Sequence, residues 1–104
     1  MLGKEKVREI AKKYSDKVRE TINPTKIVLF GSYVNGTPDE NSDIDIAVII
    51  NDFQGEWLAT SSALYNLTWS FDGIIEPHLL DETHDPSGFV EHVIKTGEVV
   101  YQSA

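Results

Sequence analysis

Asp43 and Asp45 stand two apart in "DIDIAVII", a run otherwise apolar from Ile44 to Ile50. Alternate residues of a strand point the same way, so both carboxylates share a face. At about 4 Å they would repel by roughly 4 kcal/mol at an effective dielectric of about 20. A divalent cation between them reverses that sign. Oxygen donors with no cysteine and no adjacent histidine favour Mg2+ or Mn2+ over zinc. Mg2+ is commonly held by one or two carboxylates plus substrate phosphates, so the pair reads as half a site whose other half is a triphosphate.

A second motif precedes it. "LFGSYVNG", residues 29–36, places Gly31 and Ser32 after an apolar run. Gly31 lets backbone approach a ligand, and a turn opening into a helix aims N–H groups at an anion. Ser32 adds a hydroxyl donor, and Gly36 lets the loop fold back. The carboxylates repel phosphate, so turn and pair are complementary only through a cation. Taken singly, a Gly-Ser turn is usually just a turn, and an Asp pair on a strand is more often an exposed face. Their conjunction argues for chemistry.

The elements that would position these residues are legible. Val7, Ile10, Ala11, Tyr14, Val18 and Ile22 form one apolar stripe of a helix over 3–22. Pro24 stops it. "KIVLF", 26–30, reads as a buried strand, and 31–42 as turn with one helical turn around Ser32–Asn35. Residues 43–50 form the next strand, with Ile44, Ile46, Val48 and Ile50 on one face and Asp43, Asp45, Ala47 and Ile49 on the other. Residues 57–70 are ambiguous; Trp57, Leu58, Ala59, Leu64, Tyr65 and Leu67 would line a helix, against a Thr/Ser content that disfavours one. "DGIIEPHLL", 72–80, is a third strand in which Asp72, Ile74, Glu76, His78 and Leu80 share parity; Pro77 places it at an exposed edge or a bulge. Residues 86–97 read as a helix ending at Gly97 as a C′ glycine, and "EVVYQ" as a last short strand. The order predicts an α/β (α+β) two-layer domain spanning 1–104, a mixed sheet with helices packed mainly on one face.

Bulk properties narrow the class. The chain has 104 residues, 40% hydrophobic and 25% charged, which argues against disorder. Net charge is −8 and unevenly spread: residues 1–26 carry eight basic and four acidic side chains, and 27–104 carry Lys95 alone against thirteen acids. Such a body argues against direct nucleic-acid binding and suits cations or a basic partner. With no apolar run near ~20 residues and a charged N-terminus, no membrane association is expected and the cytoplasm is the expected location. Without cysteine there is no disulfide and no thiolate ligand or nucleophile.

The run "FGSYVNGTPDENSDIDIAV" resembles the DNA-polymerase-β-like nucleotidyltransferases, whose signature is a hydrophobic residue, Gly-Ser, a spacer, then Asp-hydrophobic-Asp. The length and the ending "KTGEVVYQ" are similar to the minimal nucleotidyltransferases (MNT proteins), commonly encoded beside a helical HEPN-domain partner as antitoxin beside toxin. The resemblance covers about residues 5–101. It implies that Gly31, Ser32, Asn35 and Gly36 contact the nucleotide, and that Asp43, Asp45 and a third carboxylate bind two Mg2+ ions with ATP as co-substrate. Glu76 is the best match for that third carboxylate and Asp72 the fallback; the family more often has Asp there. It further implies AMP transfer to a tyrosine of a HEPN-type toxin, with Glu76 completing the metal site and able to take the attacking proton. Many relatives carry Arg where this chain has Asn35, and Asn cannot replace its charge. The alternative is a non-catalytic nucleotide- or partner-binding module that neutralises a helical toxin by contact.

Other residues invite a function and have plainer readings. His78 shares parity with Glu76 and would line the site as a nucleotide or proton contact, although a solvent-facing or edge histidine is the plainer account. His84 and His92 lack metal-ligand spacing and read as surface. Trp57, Tyr65 and Trp69 read as partly core, with one or two exposed. The basic face of helix 3–22 reads as solvated, and "DETHDPSG", 81–88, as a solvated acidic loop without calcium-loop spacing.

Overall fold

The computed structural model describes residues 2–36, 38 and 42–103. Part of the turn read over 31–42, at residues 37 and 39–41, lies outside the described residues. The first helix, α1 (Lys4–Thr21), buries Val7, Ile10, Ala11, Tyr14, Ser15 and Val18 and leaves its lysines, arginines and glutamates in solvent. The stripe of the sequence is thus the packed face, and each large apolar side chain it buries contributes about 1.5–3 kcal/mol. The Ile22 N–H closes onto the Val18 carbonyl, and Asn23–Pro24 turns the chain away.

Strand β1 (Lys26–Phe30), one turn of helix α2 (Ser32–Asn35) and strand β2 (Ile44–Ile50) follow. Helix α3 (Trp57–Leu67) runs into a 3-10 turn (Thr68–Phe71), then strand β3 (Ile75–Asp81), helix α4 (Phe89–Thr96) and strand β4 (Glu98–Gln102) complete the chain. The sheet order is β3-β2-β1-β4. β1 pairs antiparallel with β2 and β4, whereas β2 and β3 are parallel, so the sheet is mixed. β3 is an edge strand, which is where a strand proline such as Pro77 is tolerated.

The sheet has two unequal faces. Ile27, Leu29, Ile44, Ile46, Val48, Ile50, Ile75 and Leu79 pack under α1 and Leu64 of α3. The Tyr14 hydroxyl donates 2.7 Å to the Leu64 carbonyl and ties those two helices together; burial pushes its ionisation up. The opposite face is smaller: Val28, Ala47 and Ile49 pack against Val90 and Val93 of α4. Covering both faces explains why β1 and β2 are near-continuous apolar runs. Gly97 closes α4, but with φ −86°, not in the left-handed region. Glycine is required there by approach: a Cβ would lie 2.5 Å from Val28 Cγ1 and 2.7 Å from the Leu29 carbonyl.

α3 settles the ambiguity of 57–70 as helix, yet only Leu64 is buried on it. Trp57, Tyr65 and Trp69 are all exposed, Trp69 by 80%, so none of the three is core. On that side of the sheet α1 supplies most of the buried helical residues, and α3 adds Leu64. Among the described residues, no helix is long and apolar enough to cross a membrane.

Candidate functional site

β2 breaks its apolar pattern once, at Asp45. Ala47 and Ile49, on the same face, are covered by α4; Asp45 is not, and its side chain stays 22% exposed. The parallel register sets Asp45 opposite Glu76 and Ala47 opposite His78. Period two then turns Glu76 and His78 to the face that carries Asp45. One ligand atom each of Asp45, Glu76 and His78 lies within 4.8 Å of the others. The Nε2 of His78 lies 3.2 Å from Asp45 Oδ1, within hydrogen-bond distance. At such separation two ionised carboxylates repel by roughly 3–4 kcal/mol at an effective dielectric of about 20, which a cation would reverse.

The Gly-Ser turn meets this cluster directly. β1 ends at Phe30, the register partner of Asp45, so Gly31 follows beside the carboxylate. Gly31 has φ 82°, and a Cβ there would run into Asp45 Oδ2. The position therefore demands glycine twice, for its backbone and for the space its missing side chain leaves. Gly31 caps α2, accepting from the N–H groups of Val34 and Asn35 at 3.0 and 2.9 Å. Ser32, half-buried, opens the helix; Asn35 is exposed, and Gly36 ends it in the left-handed region with φ 79°.

The site is narrower on one side than the sequence suggests and wider on another. Asp43 is exposed, one residue ahead of β2, and stands outside the group formed by Asp45, Glu76 and His78. Asp72 is left of β3 altogether, exposed in a left-handed turn with φ 58°. His78 lies on the edge strand, as the plainer reading allowed, but it does not simply face solvent: it is half-buried and its Nε2 lies 3.2 Å from Asp45 Oδ1. Parity was the available signal; the register that seats it beside Asp45 is not in the sequence. Phe30 lies edge-on to His78, with ring centroids 5.0 Å apart, and Phe89 of α4 lies edge-on to Phe30 at 6.0 Å. The first turn of α4 thus borders the site.

The donor set fits a divalent cation: two carboxylates and an imidazole converge, and the missing side chain of Gly31 makes room for the Asp45 carboxylate. The acids of 81–88, by contrast, are engaged within the chain. Asp81 accepts from Thr83 Oγ1 and from the N–H groups of Phe53, Thr83 and Asp52, which holds its carboxyl at about 2, below its ordinary value. Asp85 reaches forward to accept from the N–H groups of Val90 and Glu91 at 3.0 and 3.1 Å, capping α4. The expectation of a solvated loop holds for Thr83, His84, Pro86 and Ser87, which are exposed; Asp81 and Asp85 in addition bond backbone, a pattern without sequence periodicity.

Three solved structures share the fold. A Sulfolobus solfataricus protein assigned as a nucleotidyltransferase superposes with TM-score 0.68 at 20% identity, over 95% of this chain and 83% of that one. A toxin-antitoxin complex with AMP-PNP gives 0.66 at 27% identity, over 88% and 73%. A tri-AMPylated Shewanella oneidensis HEPN toxin in complex with MNT antitoxin gives 0.62 at 22%, over 92% and 73%. No curated protein matches the chain. The family model described as polymerase beta, nucleotidyltransferase, matches residues 5–104, and with the Gly-Ser turn set against a strand aspartate, the chain belongs to that nucleotidyltransferase family.

Proposed function

We propose that this protein transfers AMP from ATP, with Mg2+ as the expected cation, to a hydroxyl of a helical HEPN-type toxin, and so acts as its antitoxin. One observation carries the reading: Gly31 lies against Asp45 with no side chain between them, and Glu76 faces the same carboxylate across the parallel register. The Shewanella complex of an AMPylated HEPN toxin with MNT antitoxin, similar in fold, supports the choice of acceptor.

In this reading Asp45 and Glu76 hold the cation, and Asp43, exposed just ahead of β2, is a further carboxylate two residues from Asp45. The bound cation supplies charge neutralisation on the phosphates and aligns them with the attacking oxygen. Gly31, Ser32, Asn35 and Gly36 border the nucleotide phosphates. Glu76 accepts the proton of the acceptor hydroxyl as its oxygen bonds to the α-phosphorus. The bond from that phosphorus to the bridging oxygen breaks, and pyrophosphate leaves. Positioning, more than covalent chemistry, lowers the barrier. The test is label transfer from α-labelled ATP to the helical protein encoded beside this one, in Mg2+ and separately in Mn2+, with Asp45→Asn as control. Transfer that persists in the variant, or no transfer at all, overturns the reading.

A second reading is favoured by one observation: Asp43 lies outside the group that Asp45 forms. In it the protein binds its partner without chemistry. Neutralisation of the partner undiminished by Asp45→Asn would select it.

A further inference from the structure

We infer that His78 is itself a ligand of the cation, so that the site is a carboxylate–imidazole centre selecting Mn2+ over Mg2+. The inference rests on the reading of Asp45 and Glu76 as cation ligands and deepens it: carboxylates alone lead to the expectation of Mg2+, and the added imidazole changes the preferred ion to Mn2+. Three observations carry it. His78 Nε2 comes within 3.2 Å of Asp45 Oδ1, and ligand atoms of Asp45, Glu76 and His78 lie within 4.8 Å of each other. The ring is braced edge-on against Phe30, itself braced by Phe89, which leaves its nitrogen edge turned to the carboxylates. Its register neighbour on β2 is Ala47, too small to cover it. A histidine whose only task was to fill the edge of β3 would have no need of a carboxylate on the next strand.

The chemistry of the donors selects the ion. Mg2+ takes oxygen ligands, keeps its waters and demands near-ideal octahedral geometry, so an imidazole nitrogen offers it little. First-row transition ions accept imidazole readily. Mn2+ is the member of that row that also suits carboxylate, water and phosphate oxygens, which a nucleotide site requires. Glu76 and His78, two apart on one strand, present an oxygen and a nitrogen to a single point beside Asp45.

The experiment loads the intact protein with Mn2+ or Mg2+ in the absence of nucleotide. Calorimetric titration is paired with electron spin echo measurements on the Mn2+ form, for the wild type and His78→Ala. Nitrogen modulation of the Mn2+ echo is expected in the wild type and absent in the variant. The variant should bind Mn2+ at least about tenfold more weakly and Mg2+ less than about threefold more weakly. A wild-type echo without nitrogen modulation, or equal weakening of both ions, overturns the inference; equal weakening makes His78 a residue that only positions Asp45. Label transfer, in Mg2+ and in Mn2+, is read separately. Transfer without nitrogen coupling rejects the ligand role and leaves the proposed activity standing, and nitrogen coupling without transfer does the reverse.

Discussion

β3 carries acids at both ends, and the two ends treat them oppositely. At the far end Asp81 accepts four hydrogen bonds from Asp52, Phe53 and Thr83, which fasten the loop after β2 to the turn after β3. At the near end Glu76 has no hydrogen-bond donor among the described residues, and Asp45 has His78 alone. A carboxylate whose lone pairs are filled from its own chain is structural. A pair left facing each other, at electrostatic cost, is an arrangement kept for something that binds.

That contrast can be broken in four ways. The largest effect is expected from Asp45→Asn, which should reduce the proposed AMP transfer by at least about 10³-fold while the melting temperature of the cation-free protein holds or rises as the repulsion from Glu76 is relieved, read by label transfer and calorimetry. Gly31→Ala comes next. It places a methyl against the Asp45 carboxylate at φ 82° and should cost about 1–3 kcal/mol in urea unfolding, together with most of the cation affinity. Asp85→Ala, at the structural end, should cost about 1 kcal/mol by removing the cap of α4 and leave cation binding unchanged.

The smallest effect sharpens the comparison through pH. Asp81 is held at about 2 when folded, chiefly by the Thr83 hydroxyl and then by backbone N–H groups. Its folded value lies below the ordinary carboxyl value of 3.8, so its contribution is present above that value and is lost as pH falls from there through about 2. Melting temperature followed from pH 6 to pH 2 should fall less steeply on the acid limb for Asp81→Asn than for the wild type. An identical acid limb would remove Asp81 from the structural account.

Much of the frame was legible from patterning. The stripe of α1, the apolar runs of β1 and β2, the single turn of α2 and the short β4 follow from periodicity and turn residues, since burial on a helix or strand imposes a period on the sequence. Less was legible where structure depends on a neighbour distant in sequence. Trp57, Tyr65 and Trp69 are apolar yet exposed, while Leu64 alone of α3 is buried in the core. Gly97 looked like a left-handed cap and is instead a point of contact with Val28. Asp81 and Asp85 looked solvated and bond backbone across the chain, through contacts that no local spacing encodes.

The sequence by itself determined the elements, the acidic character of the body and the motif of Gly31, Ser32, Asp43 and Asp45, because these depend on residue type and local period. Only the tertiary structure decided which acids meet. The parallel register of β2 and β3 sets Asp45 beside Glu76 and brings in His78, while Asp43 stays outside. Shifting β3 by one residue would turn Glu76 and His78 to the opposite face, since strand side chains alternate, and pairing register is fixed by packing on both faces of the sheet, not by the residues that use it.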